Sequence, residues 1–145
     1  MKKFIFVLLL FVSSTALIGC QSAEEVASYE DGRYRGVYID SSGVEVVVQF
    51  DLVDNVVTAI SFRALNYSGV NYRTSEDLNI IGLRGQYQEA IDYLKDKDIR
   101  EALVDLYDPE EIGVGDFDAF TGATIRSNKI VSAVRDALNR GVYSY

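Results

Sequence analysis

The sequence contains no histidine and no tryptophan, and it has only one cysteine, one proline and one methionine in 145 residues. Without histidine, Ser–His and Cys–His catalytic pairs cannot form, and neither can the usual His/Cys zinc site. With Cys20 as the only cysteine, no disulfide can form within the chain. A redox function would therefore need an imported cofactor, and the sequence suggests no catalytic residue and no metal ligand.

Basic residues are also scarce. Against 22 aspartates and glutamates stand 14 lysines and arginines, and the formal net charge is −8. Nucleic-acid binding depends on a basic stripe that displaces counterions from phosphates, so nucleic acid is not expected as a partner. The acidic stretch between Asp105 and Asp118 lacks the spacing of an EF-hand and indicates a solvated loop rather than a calcium site.

Residues 1–19 have the pattern of a secretory signal peptide. Two lysines precede an apolar run, Phe4 to Ile18, that is shorter than the about 20 residues of a membrane-spanning helix. The run ends at Leu17-Ile18-Gly19-Cys20, which resembles the lipobox of bacterial lipoproteins. That resemblance implies cleavage before Cys20 and a lipid on its thiol, so the mature protein would be anchored at the extracytoplasmic face of the cell membrane. An ordinary signal peptide with a chance cysteine is the alternative.

The length suits one compact domain behind this address segment. Residues 20–30 are small and acidic, which predicts a flexible tether, and residues 31–145 form the predicted domain. Its first half predicts three antiparallel strands in a meander, because apolar and polar residues alternate in Gly32–Asp40, Val44–Val53 and Val56–Ala64. The predicted core face consists of Val44, Val46, Val48, Phe50 and Leu52 on the second strand, and Val56, Ile60 and Phe62 on the third.

The second half of the domain predicts helices. A long irregular loop is expected from Asn66 to Gly85, because glycines and polar residues are frequent there. Helical spacing of apolar residues then predicts helices at Gln86–Lys97, Ile99–Tyr107 and Ser127–Arg140. Strands followed by helices indicate an α+β domain in which the helices pack on an antiparallel sheet.

A motif stands just before the last predicted helix: Asp118-Ala119-Phe120-Thr121-Gly122-Ala123-Thr124. It resembles the flavinylation motif of the FMN-binding domain family, which is Asp, two variable residues, Ser or Thr, Gly, Ala, and an acceptor Thr or Ser. That family includes flavin-bearing subunits of sodium-pumping quinone reductases and of Rnf-type complexes, and lipoproteins of extracellular electron transfer. The opening Asp31-Gly32-Arg33-Tyr34-Arg35-Gly36 resembles the family's first strand.

The resemblance implies that a separate flavin transferase attaches FMN to Thr124 through a phosphoester, with Asp118, Thr121, Gly122 and Ala123 completing the recognition sequence. An ester requires a hydroxyl, and the small Gly122 and Ala123 leave room for a bulky group. Its phosphate would lie at the start of a helix, where free N–H groups favour anions. The alternative is a loop in which Thr121 or Thr124 simply caps the helix.

Tyr67 and Tyr72 are the candidates to stack on a flavin ring, although tyrosines are also common on half-buried strands. The resemblance implies a membrane-anchored flavoprotein that exchanges electrons with a membrane quinone oxidoreductase or another redox partner, rather than a stand-alone enzyme. Two alternatives remain: a flavin-bearing subunit of a reductase, and a non-redox lipoprotein that serves as a binding or interaction module.

Overall fold

A computed structural model of the protein describes residues 28–107 and 124–144, with side chains from residue 128 onward in the second segment. These residues form one antiparallel sheet, with its strands in chain order, and helices that pack on it. The elements are β1 (Gly32–Ile39), β2 (Val44–Val53), β3 (Val56–Tyr67), β4 (Val70–Asn71), α1 (Leu78–Leu94), α2 (Ile99–Tyr107) and α3 (Thr124–Arg140). The predicted α+β class and the meander are confirmed, and β4 is a fourth strand that the prediction lacked. The predicted signal peptide and Cys20 lie outside the described residues.

The predicted core face of β2 is confirmed. Its alternate residues are each at most 3% exposed, and they are Val44, Val46, Val48, Phe50 and Leu52. The residues between them remain partly exposed on the opposite face of the sheet. Full burial of an apolar side chain of this size stabilises a fold by about 1.5–3 kcal/mol, so β2 is the centre of the core.

The predicted core face of β3 is wrong at Val56 and incomplete beyond Phe62. Val57, not Val56, is fully buried, and Leu65 is buried as well. The reason is two shifts in the pairing of β2 with β3, which leave Thr58 and Arg63 without a partner on β2. Each inserted residue reverses which side chains of the strand face the core. A strict alternation read from the sequence can therefore be correct before the inserted residue or after it, but not in both places.

The irregular loop predicted from Asn66 to Gly85 is contradicted by the structure. β3 continues to Tyr67 and turns through Ser68 and Gly69 into the short β4. Both turn residues have positive φ, at 48° and 81°, which is the backbone conformation of a tight two-residue hairpin. Glycine supplies one of these positions, and the hydroxyl-bearing Ser68 occupies the other.

The first helix begins at Leu78, well before the predicted start at Gln86. Asp77 caps it, since its carboxylate accepts the N–H of Asn79 at 2.8 Å. Gly82 and Gly85 lower the helical propensity of this stretch, but the packing of an inward stripe offsets that cost. The stripe consists of Ile80, Leu83, Tyr87, Ala90, Ile91 and Leu94.

The α2 helix and the inward face of α3 follow the prediction. Ile99, Leu103 and Leu106 of α2 are buried, and so are Ile130, Val134, Ala137 and Leu138 of α3. The helix α3 ends where expected, because Gly141 adopts φ +80° and its N–H donates to the carbonyl oxygens of Ala137 and Leu138.

The start of α3 differs from the prediction. The helix begins at Thr124, three residues before the predicted Ser127, so Thr124 is its first residue and does not precede it. Neither glycine nor proline occurs between Thr124 and Ser127, so no residue there prevents the helix from beginning at Thr124.

The helix α3 runs antiparallel to β1 and is held against it along its length. At one end, Lys129 lies 3.8 Å from the carboxylate of Asp40. At the other end, the Tyr143 N–H donates to the carbonyl oxygen of Arg33 at 2.6 Å. Because Asp40 opens the turn between β1 and β2, the start of α3 lies at that end of the sheet, which we call the turn end.

Asp136 forms the central polar contact between α3 and β1. Its carboxylate accepts the Val37 N–H at 2.8 Å and pairs with Arg140 at 2.8 Å. Burial opposes ionisation of Asp136, but these two partners outweigh burial and hold the pKa of its carboxyl below the usual range. A depressed pKa contributes stability above the unfolded-state pKa of about 3.9, and that contribution is lost as the pH falls through the folded-state value.

We expect Asp136→Asn to lower the free energy of unfolding by about 1 kcal/mol at pH 7, because the site is partly exposed and screened. At about pH 3 the difference in unfolding urea concentration between the variant and the unchanged chain should be smaller, because the contribution of Asp136 is lost as the pH falls towards its lowered pKa. Glu89→Gln, at an exposed position on α1, serves as the control and should change stability little at either pH. Equal destabilisation at both pH values would show that the charge of Asp136 is not what matters.

Candidate functional site

The described part of the candidate site begins with Thr124, the first residue of the seventeen-residue helix α3. The other predicted recognition residues, Asp118, Thr121, Gly122 and Ala123, lie outside the described residues. Connectivity alone places Ala123 directly before the helix. The predicted acceptor is therefore carried by a helix whose body is fixed to the sheet.

The start of α3 suits an anion. The first N–H groups of a helix have no partner within the helix, and the helix dipole is positive at that end. The first turn of α3 contains no acidic residue. At the end of β1 that faces the helix start, the acidic residue is Asp40. Its carboxylate accepts a hydrogen bond from the Ser42 hydroxyl and further ones from backbone N–H groups of the turn, and these lower the pKa of the carboxyl although desolvation opposes them. That carboxylate is bound within the turn, so Asp40 does not present an uncompensated charge to a phosphate at the helix start.

Three connections meet at the turn end of the sheet. The β3–β4 hairpin contacts the β1–β2 turn, since the Ser68 N–H donates to the carbonyl oxygen of Gly43 at 2.9 Å. The helix α1 starts at the same end, because its far end pairs with the opposite end of β3 through Val57 and Lys97. The helices α1 and α3, which contact one another, therefore both begin here.

Exposed apolar side chains border this end. Tyr67 pairs with Val44 on the helix-bearing face of the sheet, yet it is 43% exposed, and its neighbour Val70 is 41% exposed. The ring of Tyr67 meets the ring of Tyr72 edge to face at 6.4 Å. Tyr72 is itself buried against Tyr87, so it belongs to the core, whereas Tyr67 keeps a surface open for contact with a ring system. Stacking of either tyrosine on a flavin stays a prediction.

One buried acceptor lacks a donor. Gln86 Oε1, on α1, has no hydrogen-bond partner in the described structure. An unsatisfied buried polar atom costs about 1–3 kcal/mol, and a bound group with an N–H donor could remove that cost. No sequence pattern points to Gln86, because it lies in no motif and its burial depends on the packing of α1.

Two other features are absent from residues 28–107 and 124–144. This part of the chain has no cluster of three or more Asp or Glu side chains arranged to hold a metal ion. It also has no helix with the length and apolarity needed to cross a membrane.

Comparison with known families places the chain. The model of the FMN-binding domain matches residues 31–139, which is most of the 145-residue chain, and the chain therefore belongs to the FMN-binding domain family. Neither the curated proteins nor the solved structures gave a match. The match confirms the resemblance on which the motif was interpreted, and it identifies the domain as a flavin-binding module whose cofactor is FMN.

The described residues fit this cofactor in two respects. The start of α3 offers N–H groups to a phosphate, and its first turn carries no acid. Tyr67 and Val70 leave apolar surface exposed at the same end of the sheet. These features suit the anionic group and the flat ring of FMN respectively.

Proposed function

We propose that FMN is bound covalently to Thr124 through a phosphoester and that the chain carries electrons at the extracytoplasmic face of a membrane. The observation that supports this most directly is the position of Thr124. The acceptor residue of an intact flavinylation motif is the first residue of α3, in a chain of the FMN-binding domain family. The proposed partners are a flavin transferase and a membrane quinone oxidoreductase or another redox protein.

The group of this chain that reacts in the attachment is the hydroxyl of Thr124. Its oxygen would attack the FMN phosphorus of FAD, forming the new P–O bond while AMP leaves and the hydroxyl proton passes to the transferase. The ester keeps a negative charge, which the first N–H groups of α3 stabilise. A covalent bond also prevents loss of the cofactor by diffusion outside the cell, where it would not be replaced.

Bound FMN supplies the redox chemistry, because its flavin can accept one or two electrons. The chain itself orients the carrier, because α3 is fixed to β1 through Asp136 and through the contacts at both helix ends. The chain acts as a carrier, and a partner performs any substrate chemistry.

Intact-mass analysis tests the attachment. The chain is coexpressed with a flavin transferase, denatured, and examined by mass spectrometry and visible absorption. We expect a mass gain of one FMN less one water, with a yellow colour that survives denaturation. An unmodified mass, from a transferase shown to modify another substrate in the same cells, would refute the covalent attachment.

The anchor is proposed at Cys20. Its thiol would carry the lipid after cleavage of residues 1–19, so we expect the chain in the membrane fraction with the mass of a lipidated cysteine. Cys20→Ala should remove the lipid, so the lipid mass should be absent whether or not residues 1–19 are cleaved. Ser22→Ala, at a neighbouring position, should retain the lipid mass. Absence of lipid from the unchanged chain in a host with an active lipoprotein pathway would contradict the anchor.

A further inference from the structure

Two neighbouring arginines contact backbone carbonyls instead of carboxylates. Arg84 Nη1, on α1, donates to the carbonyl oxygen of Arg73 at 3.0 Å. Arg73 Nη1, just after β4, donates to the carbonyl oxygen of Arg63 on β3 at 2.7 Å. These contacts hold both guanidinium groups in place and leave their remaining N–H donors available. Neither group forms an ion pair with any residue that the structure describes.

The chain has more acidic than basic residues, 22 against 14, yet Arg73 and Arg84 pair with no carboxylate that the structure describes. Arg33, Arg100 and Arg140 each form an ion pair with an aspartate. Two guanidinium groups without a carboxylate partner leave positive charge at this place on a chain whose formal net charge is −8.

Both arginines line an open groove between β3 and α1. Its volume is about 280 Å³, and it is lined by Ser61, Phe62, Leu65, Arg73, Arg84 and Gln88. The strand β4 pairs with β3 only at Asn66 and Tyr67, so no other strand among the described residues lies next to the edge of β3 beside the groove. The bulge at Arg63 breaks the regularity of that edge, and a ligand would therefore be recognised by side chains rather than by strand pairing.

The surface next to the groove is apolar and larger than a small anion would cover. Tyr67 and Val70 are 43% and 41% exposed, and Leu78, at the start of α1, is 83% exposed. Arginine and tyrosine beside exposed aliphatic groups are the composition of interface hot spots. An extended surface of this kind favours a protein over a free phosphate or carboxylate.

We propose that this arginine surface, formed by Arg73, Arg84, Tyr67, Val70 and Leu78, docks an acidic face of a partner protein. Opposite charges accelerate the encounter and orient it, while small interfaces release quickly, as electron transfer between proteins requires. The surface adjoins the turn end of the sheet, where Thr124 lies. Naming the partner a redox protein rests on the proposed electron-carrier function, whereas the docking of an acidic face does not.

The test uses a flavin-free protein, so that it is independent of flavin attachment. The full-length chain carrying Thr124→Ala is labelled with ¹⁵N in a non-ionic detergent and titrated with a short glutamate homopeptide. Ionic strengths of about 10 mM and about 150 mM give Debye lengths of about 30 Å and 8 Å. We expect amide shifts confined to the arginine surface and weaker binding at the higher ionic strength. A serine–glycine peptide of equal length should cause no shifts.

Two matched double variants locate the effect. Arg73→Gln/Arg84→Gln should weaken binding of the glutamate peptide by about fivefold, since two exposed ion pairs of ~0.5 kcal/mol each are lost. Arg135→Gln/Arg140→Gln removes the same charge from α3 and should change the affinity less than about twofold. Both variants should keep the amide spectrum of a folded chain.

Three outcomes would overturn the proposal. Equal weakening by both double variants would mean that only net charge matters. Displacement of the peptide by inorganic phosphate at equimolar concentration would make the groove a small-anion site. Self-association that raises the rotational correlation time and is lost in Arg73→Gln/Arg84→Gln would identify the occupant as a second copy of this chain.

Discussion

Replacing Thr124 with alanine should abolish covalent FMN, and replacing it with serine should retain it. The phosphoester needs a hydroxyl on the side chain of this residue, and alanine has none. Alanine is also the best helix former, so Thr124→Ala should leave α3 intact. Intact mass and absorption after denaturation measure the loss, which should be complete in the alanine variant and at most partial in the serine variant.

The matched control is Ser127→Ala, which removes a hydroxyl from the same helical turn. It should remain flavinylated, and circular dichroism should show all three variants folded. A mass gain of one FMN in Thr124→Ala would place the acceptor elsewhere. Full cellular function of an unmodified, folded Thr124→Ala chain would instead support the alternative of a non-redox interaction module.

Gly36→Ala should be the most destabilising single substitution in the described core, with a loss of about 3 kcal/mol or more in the free energy of unfolding. A Cβ at Gly36 would overlap the carbonyl oxygen of Ala133 and the amide nitrogen of Ala137, and it would lie 2.7 Å from the Cβ of Ala137. The first two are backbone atoms and cannot rotate away. The helix α3 would have to move off β1, and urea unfolding followed by circular dichroism measures the loss.

Gly82→Ala is the control for the chemical change itself. No atom lies within 4 Å of a Cβ at Gly82, in the exposed part of α1, so alanine there should stabilise the chain by about 0.5–1 kcal/mol. Because α3 carries Thr124, Gly36→Ala should also reduce flavinylation at temperatures where Gly82→Ala does not. A Gly36→Ala chain as stable as the unchanged protein would show that α3 is not closely packed on β1.

Local patterns predicted the elements whose burial follows a simple period. The strand β2 alternates without interruption, and α2 repeats its apolar residues at helical spacing, so their bounds and core faces agree with the sequence. The errors arose where distant residues decide the outcome. The inserted residues Thr58 and Arg63 are defined by pairing with β2, and α1 extends to Leu78 because its stripe packs on the sheet despite two glycines.

The candidate site shows the same division. The motif ending at Thr124 was recognised by resemblance, and the family match supports that resemblance. No pattern in the sequence could show that Tyr67 is exposed while Tyr72 is buried, because the hairpin that joins them was predicted as irregular. The unsatisfied oxygen of Gln86 and the approach of Arg73 to Arg84 likewise depend on tertiary contacts.

The chain joins the domain at the end of the sheet far from the start of α3. The Tyr29 N–H donates to the side chain of Asn55, in the turn between β2 and β3, at 2.7 Å. Thr124 lies at the other end of α3, which is about 25 Å long. Under the proposed lipidation of Cys20, residues 20–28 could span at most about 30 Å between the membrane surface and the domain. The proposed acceptor Thr124 would then lie at the end of the domain that is far from this attachment, facing away from the bilayer.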